Sequence, residues 1–419
     1  MSGAGPGPVL PGRDPMTLGR RIMLGAAGTV LVGGIAGTAW MLWPDGPPPP
    51  QRYGPRRLVP PLLRARVGQD DTVFLLTRRA EQDATDPPGA PAPRERIDLL
   101  ALDAATLAPR FEAYLASVPL GALRDAGLMA EQGATIWTWL GGIGALSAVD
   151  GRVLADQPGL AELNPGLPIA DATSRSAWRV TDALLLQVAS NWPAWRIDPR
   201  DFHASVAQGA ADRPLPAVNA AAPVGQGGPT AFRVNEARLD GAWLGLPAET
   251  EKLIPPLAPR GQEGRFLSPA GPPPGTGQAL WRGSVRMASA APPNWPANMP
   301  DRWGQAERLL DLAQVAGMTG LNYAGFLTAG TAAPILAPDP QSLLLLHGAA
   351  GQNLGLMRVA PDGRVLWRAA LPMAAVRSVL PGPRHLVLMT GGGAPEIADA
   401  VLVSVALADG TVTERRLSA

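Results

Sequence analysis

The sequence predicts an all-β protein, a β-propeller of about seven four-stranded blades, with eight blades as the alternative. Three observations support this fold class. Apolar runs of strand length recur along most of the chain, turns that contain aspartate separate many of them, and these turns recur at a nearly constant spacing. The 419 residues include 49 glycines and 47 prolines, a composition typical of short strands joined by many turns.

The clearest repeat unit is Ser342–Pro372. It begins with the apolar run SLLLLH, which is too short for a helix and suits a buried strand. A second apolar run leads into Pro361-Asp362-Gly363, and Asp-Gly between two apolar runs favours a hairpin because glycine takes positive φ without strain. The following residues, RVLWR, alternate polar and apolar side chains as an outer, half-buried strand does.

The aspartates of such turns give the period of the repeat. Asp103 and Asp150 are 47 residues apart, Asp150 and Asp198 are 48 apart, and Asp362 and Asp409 are 47 apart. A fixed period of this size is typical of a propeller blade. Blades that pack face to face in a closed ring bury the faces that one blade alone leaves exposed. These aspartates are predicted to form turns; a ring of cation ligands is the alternative.

The middle of the chain fits the period less well. We predict two degenerate blades between Asp198 and Asp362, with Pro/Gly-rich insertions at about 255–340. The first takes Thr230–Val234, a turn at Asp240-Gly241 and Ala242–Leu246, and the second takes Ala279–Met287 and Leu321–Leu327. Apolar residues at helical spacing predict an amphipathic helix over Arg302–Ala316. Glu112–Glu131 is ambiguous and allows a short helix.

The N-terminal region predicts a membrane segment. Residues 22–43 carry no charge over 22 positions, enough as a helix to span the ~30 Å hydrocarbon core of a bilayer. We therefore expect a disordered cytoplasmic tail over 1–21, a transmembrane signal anchor over 22–43, a Pro-rich linker over 44–61 and the propeller over 62–419. The predicted location is the inner (cytoplasmic) membrane, with the bilayer bound through residues 22–43 and the C-terminal domain in the periplasm or outside.

Two features of this region leave alternatives open. Arg20-Arg21 resembles a twin-arginine export signal, and Gly37-Thr38-Ala39 offers a cleavage site, so secretion to the periplasm is the alternative to an anchor. Met16 is an alternative start to Met1, because the residues that follow it form a short basic segment.

Composition excludes several classes of function. A net charge of +1 argues against a nucleic-acid partner, which requires a basic face. The absence of cysteine excludes disulfides, thiolate metal sites and cysteine nucleophiles. His203, His347 and His385 are too few for most metal sites and are expected to be structural or exposed. The sequence thus indicates no catalytic, cofactor-binding or metal-binding residue, and the ligand-binding residues stay unknown.

Tryptophan is abundant in the chain, and six of the 12 tryptophans cluster in the first four predicted repeats. The expected role is packing within and between blades, where an indole buries a large area. An aromatic surface for sugars or peptides is the alternative. The cluster comprises Trp137, Trp139, Trp178, Trp192, Trp195 and Trp243.

Three segments resemble the repeat of pyrroloquinoline-quinone-type (PQQ-like) β-propellers: Ala101–Leu107, Ala145–Leu154 and Arg358–Leu371. Trp367 stands at the aromatic position of that repeat, and Leu154 and Arg415 stand near it in other copies. The family contains quinoprotein dehydrogenases and non-catalytic propellers, such as an outer-membrane assembly factor. The dehydrogenases' vicinal Cys-Cys pair is missing here and no Ca²⁺ ligand set matches, so the resemblance implies the non-catalytic branch without a cofactor.

The leading functional hypothesis is a membrane-tethered, extracytoplasmic β-propeller that binds a protein or another envelope component as a scaffold. The alternatives are a degenerate PQQ-like propeller enzyme and a small-ligand sensor. Enzymatic activity is not decided by the sequence, and a role without catalysis is favoured because no catalytic set of residues is recognised.

Overall fold

The computed structural model describes residues 51–83, 94–123, 125–180, 184–186, 194–207, 232–247, 277–287, 307–329, 333–338, 340–348, 352–390 and 400–417. Across these ranges the chain forms antiparallel sheets with very little helix. The all-β class predicted from the sequence is confirmed.

The first half of the described chain forms three sheets. Sheet 1 contains β1 (Gln51–Tyr53), β2 (Arg57–Val67), β3 (Asp70–Asp83), β4 (Arg94–Asp103) and β5 (Pro109–Pro119). Sheet 2 contains β6 (Gly127–Gln132), β7 (Thr135–Trp139), β8 (Ile143–Ser147) and β9 (Val153–Asp156). Sheet 3 contains β10 (Trp178–Val180), β11 (Leu184–Leu186), β12 (Trp195–Ile197) and β13 (Ala204–Val206).

The second half forms three more. The strand β14 (Arg233–Val234) belongs to sheet 5, while sheet 4 contains β15 (Glu236–Leu239), β16 (Ala242–Gly245), β17 (Trp281–Met287) and β18 (Glu307–Gln314). Sheet 5 is completed by β19 (Gly325–Leu327), β20 (Leu336–Ala337), β21 (Ser342–His347), β22 (Gly355–Val359) and β23 (Val365–Ala370). Sheet 6 contains β24 (Ser378–Leu380), β25 (His385–Thr390), β26 (Val401–Ala406) and β27 (Val412–Arg416).

Four of the six sheets are simple four-stranded meanders, in which each strand pairs with the next along the chain. Sheet 1 differs because β1 and β2 both pair with the long β3. Sheet 5 differs because β14 pairs with β19, across the whole of sheet 4 in sequence. Repeated antiparallel meanders of this size are consistent with propeller blades.

A short helix, α1 (Gln157–Leu163), follows sheet 2. The Asp156 carboxylate accepts a hydrogen bond from the Gly159 amide at 2.8 Å, and a proline stands in the first turn. An acidic N-cap and an early proline are strong helix-start signals, which the sequence analysis missed. A single 3-10 turn, Arg175–Ala177, leads into β10.

Apolar side chains join neighbouring sheets face to face. One cluster lies between sheets 1 and 2, a second between sheets 2 and 3, a third between sheets 4 and 5, and a fourth between sheets 5 and 6. Because each strand alternates its side chains between two faces, a sheet in the middle of this series buries both. The near-continuous apolar runs of the central strands, such as SLLLLH in β21, follow from that burial.

A fifth cluster joins the first sheet to the last. Leu75 and Leu100 of sheet 1 pack with Val387 and Leu402 of sheet 6, and all four are at most 1% exposed. Arg64 in β2 adds polar contacts across the same junction: its Nη1 donates to the carbonyl of Leu380 at 2.8 Å and to that of His385 at 2.7 Å. The described sheets therefore follow one another in the packing order 3, 2, 1, 6, 5, 4.

The turn aspartates occupy equivalent hairpins but not one position within them: Asp103 and Asp198 begin their turns, whereas Asp150, Asp362 and Asp409 stand directly before the turn glycine. Each lies in the hairpin before the last strand of its sheet, and one carboxylate oxygen accepts the backbone N–H two residues on. The donors are Ala105, Arg152, Arg200, Arg364 and Thr411, at 3.0, 3.2, 2.8, 2.9 and 2.9 Å, for Asp103, Asp150, Asp198, Asp362 and Asp409 respectively. The carboxylates thus close their own turns, as an Asx turn does.

The helix predicted over Arg302–Ala316 is wrong where the structure describes it. Glu307–Gln314 is strand β18 and pairs with β17 along its length; residues 302–306 lie outside the described ranges. Apolar residues spaced as in this segment suit either conformation over so few positions. The backbone ladder with β17 decides in favour of the strand. Glu112–Glu131, where a short helix was allowed, contains the end of β5 and the start of β6 instead.

The middle of the chain also differs from the prediction. Asp240-Gly241 does form a hairpin turn, with both residues at positive φ, but it joins β15 to β16 at the start of a sheet. Ala279–Met287 contains β17 of that same sheet, and Leu321–Leu327 contains β19 of sheet 5. The strands of each predicted blade are thus divided between sheets 4 and 5, and the described residues form six sheets where seven blades were predicted.

The predicted N-terminal segments lie mostly outside the described residues, which begin at residue 51. The linker predicted over 44–61 contains β1 and the start of β2, so the first sheet begins earlier than expected. Within the described ranges, no helix has the length and apolar character needed to cross a bilayer; residues 22–43 are not among them.

Candidate interaction surface on the first sheet

Sheet 1 is longer than the sheet that it packs against. Strand β3 has 14 residues, whereas β25 of sheet 6 has 6. Side chains of Val73 and Leu75 on β3 lie in the cluster with sheet 6. The same face continues along β3 through Arg79, which pairs with Arg96 of β4. Beyond sheet 6, this face therefore presents polar and aromatic groups in place of leucine and valine.

Two tyrosines flank one arginine at the centre of this extension. The Arg96 guanidinium carbon lies 5.4 Å from the ring centroid of Tyr53 and 5.0 Å from that of Tyr114. Tyr53 is 42% exposed and Tyr114 is 51% exposed, whereas most large apolar residues of the described ranges are buried. Arg79 lies over the Tyr53 ring as well, at 5.0 Å. Cation–π contacts of this kind hold aromatic rings in place while leaving their edges open to solvent.

The carboxylates of Asp98 and Glu112 hold the arginine side chains of this face in place. Asp98 is fully buried and accepts from Arg96 Nε at 2.6 Å and from Arg79 Nη2 at 2.9 Å. Glu112 accepts from Arg79 at 2.8 Å and binds Arg56 through both of its oxygens at 2.8 Å. Because each guanidinium is held by more than one bond, little side-chain entropy is left to lose when a partner binds.

A second set of hydrogen bonds extends the network along β4 and β5. Arg94 Nε donates to the Ser117 hydroxyl at 2.8 Å, and that hydroxyl donates to the Glu81 carboxylate. Burial raises the pKa of Tyr114, and the Glu81 carboxylate raises it further. The Tyr114 phenol is therefore protonated at neutral pH, able both to donate and to accept a hydrogen bond.

We call this group, Tyr53, Arg56, Arg79, Arg96, Asp98, Glu112 and Tyr114, the Tyr–Arg surface. Tyrosine and arginine are enriched among the residues that dominate protein–protein binding energy. The arginines carry their own carboxylate partners, so the surface is close to neutral and offers aromatic edges and guanidinium N–H groups together. This chemistry suits recognition of a partner, and it supplies no activated nucleophile.

The three histidines do not come together. His203 lies in the hairpin between β12 and β13 and is exposed, His347 ends β21, and His385 begins β25, so they belong to three different sheets. No group of three or more metal-binding side chains occurs among the described residues.

The tryptophans of this predicted cluster that the structure describes are mainly core residues. Trp137, Trp139, Trp178 and Trp243 are at most 4% exposed. The indole N–H groups of three of them bind neighbouring side chains: Gln132 at 3.0 Å for Trp137, Asp125 at 2.8 Å for Trp139 and Glu236 at 3.2 Å for Trp243. The packing role predicted for these four is confirmed; Trp192 lies outside the described residues.

The aromatic position of the repeat is occupied in at least two sheets. Trp367 pairs with Arg358 in sheet 5, and Phe111 pairs with Ala101 at the corresponding place in sheet 1. Each ring covers the turn glycine of the next sheet, Gly410 for Trp367 and Gly151 for Phe111. Phe111 was missed in the sequence because the segment after Asp103 lacks a recognisable turn glycine.

Arg415 contributes to the junction where the last sheet meets the first. Its Nη1 donates to the Leu107 carbonyl in the turn of sheet 1 at 3.1 Å. Arg415 does not stand at the aromatic position of the repeat, however. In sheet 6 the residue that corresponds to Trp367 of sheet 5 is Thr413, which pairs with Ser404, and Arg415 lies two residues further along the strand, where it pairs with Leu402. In sheet 2 the aromatic position is occupied by Ala155, which pairs with Ala145, and Leu154 is the residue directly before it.

The Tyr–Arg surface could not be read from the sequence. Tyr53 falls in the predicted linker and Tyr114 in the segment left ambiguous between helix and strand. Their approach depends on β1 and β5 flanking the β3–β4 pair, a non-local arrangement. The usable signal was the alternation of charge in RERID, over Arg94–Asp98, which continues an apolar strand into a solvent-exposed face.

Comparison with known proteins adds little to the structure described above. No protein-family model and no curated protein matches the chain. Among solved structures, the chain is similar to BamB from Moraxella catarrhalis, with 12% identity over 85% of this chain and 96% of that one, at a TM-score of 0.20. At this TM-score the likeness carries no argument, and the assignment of blade-like sheets rests on the pairing and packing described above.

Proposed function

We propose that this chain is a propeller-type scaffold that binds a protein partner through the Tyr–Arg surface. The observation that carries the proposal is the position of Arg96, held between two exposed tyrosine rings and anchored from below by the buried Asp98. An ordered arginine between exposed aromatic rings is a preorganised binding site, because its groups already hold the geometry that a complex requires.

We also infer that the sheets are blades of a closed ring. Support comes from the packing of sheet 1 on sheet 6, which brings the first and last sheets of the described chain together. The edge strands β2, β6 and β24 also lie side by side, as the inner strands of adjacent blades do. Sheets 3 and 4 stand at the two ends of the packing order, so contact between them would close the ring.

The scaffold is further proposed to be tethered to a membrane by residues 22–43, with the sheets on the extracytoplasmic side. The support is the uncharged sequence of that segment. Fractionation of cells that express the full chain tests the tether. The full chain is expected in the membrane fraction after a high-salt wash, and a chain that lacks residues 22–43 in the soluble fraction. N-terminal sequencing of the mature chain distinguishes an anchor from a cleaved signal.

In-cell crosslinking and pull-down test the partner proposal. The full chain is expected to recover a reproducible protein partner, and Tyr114→Ala and Arg96→Ala are each expected to weaken its binding about thirtyfold. Val206→Ala is the matched control, since Val206 is also a large exposed apolar residue, 59% exposed, and lies on sheet 3. Circular dichroism of each variant verifies the fold.

Two results would count against the proposal. One is the absence of any reproducible partner from crosslinked membranes. The other is a partner that the Tyr114→Ala variant, correctly folded, retains as well as the Val206→Ala control does.

A further inference from the structure

The edge of sheet 5 holds a second polar feature, far in sequence from the Tyr–Arg surface. Among the described strands, β14 is the terminal strand of that sheet and pairs with β19 alone. Arg233 lies in β14 opposite Leu327. The neighbouring Gly325 leaves room for its side chain: a Cβ at Gly325 would lie 2.5 Å from Arg233 Cβ and 3.2 Å from both Cγ and Cδ.

Arg233 is half-buried, and two of the three nitrogens of its guanidinium lack the hydrogen bonds that buried donors normally make. Its Nε and Nη1 are shielded from solvent, and neither has a hydrogen-bond partner among the residues that the structure describes. By contrast, Arg358 in the same sheet donates to the Ser342 hydroxyl and to the carbonyls of Pro338 and Pro340, each at 2.6 Å. A buried cation normally has such acceptors, because loss of its hydration is costly.

Arg233 and Arg368 both act on His347. Burial alone lowers the pKa of Arg233 to about 10. Burial also lowers the pKa of His347, and the guanidinium groups of Arg368 and Arg233 lower it further. Arg233 and Arg368 are thus both near enough to His347 to disfavour a third positive charge there.

We propose that Arg233, at the edge of sheet 5, binds an oxyanion, the carboxylate or phosphate group of a ligand. The guanidinium is a planar fork of N–H donors that matches both groups in a bidentate arrangement. Because Nε and Nη1 are shielded from solvent, an anion reaches them only when the side chains around Arg233 move apart. The bound anion then satisfies both donors and neutralises the charge. This proposal is independent of the partner proposed for the Tyr–Arg surface, because it rests on a different sheet.

Thermal unfolding of the full chain with added anions tests the proposal. Sodium phosphate and sodium acetate are titrated separately against sodium chloride at constant ionic strength. At least one anion is expected to raise the Tm of the wild-type chain by about 2 °C. Phosphate also stabilises proteins by exclusion from their surfaces, so the comparison between variants isolates the site.

The variants are Arg233→Gln, Arg233→Lys and the control Arg364→Gln, which changes an exposed arginine in the hairpin between β22 and β23 of the same sheet. Arg364→Gln is expected to respond as the wild type does, Arg233→Lys to respond less, and Arg233→Gln to lose the specific rise. Without added anion, the Tm of Arg233→Gln is expected to equal or exceed that of the wild type, because an uncompensated buried charge has been removed.

A response to phosphate alone or to acetate alone supports the site and identifies the class of group that it binds. Three results overturn the proposal: a wild-type chain that responds to neither anion, an equal response in Arg233→Gln, or a clear destabilisation of Arg233→Gln in the absence of anion.

Discussion

Trp367 and Gly410 form the best-defined contact between two consecutive sheets. The Trp367 indole donates from Nε1 to the Leu407 carbonyl at 2.9 Å. Its ring covers Gly410, where a Cβ would lie 2.7 Å from the ring. Arg358, the cross-strand neighbour of Trp367, donates to the same carbonyl. The Leu407 carbonyl therefore accepts hydrogen bonds from two side chains of sheet 5.

Substitution of Trp367 separates packing from hydrogen bonding. Trp367→Ala is expected to lower the free energy of unfolding by about 3–5 kcal/mol, because it leaves a large cavity between two sheets. Trp367→Phe keeps most of the packing and loses the indole N–H, with an expected cost of about 1 kcal/mol beyond the loss of ring volume. Chemical denaturation measures both, and equal costs for the two variants would contradict the assignment.

Gly410 is expected to tolerate alanine less well than another glycine of similar backbone conformation. Gly410 has φ +78° and lies under Trp367, whereas Gly68 has φ +64° and has open space where a Cβ would be. Gly68→Ala should cost about 1–2 kcal/mol from the left-handed backbone alone. Gly410→Ala should cost distinctly more, since the methyl group meets the indole ring. Denaturation midpoints of the two variants compare them directly, and a smaller loss for Gly410→Ala would exclude the contact.

Arg64 is expected to stabilise the junction between the first and last sheets. Its side chain is 7% exposed and also bonds Asp71 through Nε at 2.7 Å. Arg64→Ala leaves the Leu380 and His385 carbonyls and the Asp71 carboxylate without this donor, so a loss of about 3 kcal/mol is expected. Limited proteolysis should then cut sheet 6 sooner than in the wild type.

The matched control for Arg64 is Arg66, which lies two residues on in the same strand and is exposed. Arg66→Ala is expected to change stability by less than about 0.5 kcal/mol, as most exposed substitutions do. Similar proteolysis patterns for the two variants would show that Arg64 does not hold the junction.

Two histidines give the fold a predictable sensitivity to acid. The pKa of His347 is lowered mainly by burial, and the positive charges of Arg368 and Arg233 lower it further. The pKa of His385 is also lowered mainly by burial, and the positive charge of Arg64 lowers it further. The unfolded chain, with histidine pKa values near 6.5, therefore binds more protons than the folded chain as pH falls through 6.5. Stability is expected to be full above this pH and to decrease below it.

Chemical denaturation at pH values from about 7 to about 5 measures this effect. Most carboxylates titrate below this pH range, so they contribute little to the change in stability. The double variant His347→Gln/His385→Gln is expected to flatten the decrease. His203→Gln, at an exposed position, should leave it unchanged. A wild-type chain whose stability is constant over this range would contradict the prediction.

Much of the fold could be predicted because its strongest signals are local. An aspartate that closes its own turn can be recognised in five residues, and an apolar run such as SLLLLH reports burial on both faces. The turn at Asp240-Gly241 shows where this reasoning fails. Its local chemistry is that of a hairpin, and it does form one, but nothing local indicates whether a hairpin lies at the start or the end of a sheet.

The remaining errors have the same origin. Glu307–Gln314 is a strand because β17 pairs with it, and β14 belongs to sheet 5 because β19 pairs with it, although sheet 4 lies between them in sequence. The Tyr–Arg surface depends on the same kind of partner. Arg96 and Asp98 are adjacent in β4, but Tyr53 and Glu112 reach them only once β3 and β5 are in place.

The contact between sheets 1 and 6 has a consequence for synthesis. Leu75 and Leu100 emerge from the ribosome early, but their covering residues Val387 and Leu402 emerge some 300 positions later. Throughout that interval the first sheet keeps a face of leucine and valine open to water and to other chains. A chaperone that binds extended apolar surfaces is expected to bind this face, and to dissociate only after the strands of sheet 6 have been synthesised and cover it.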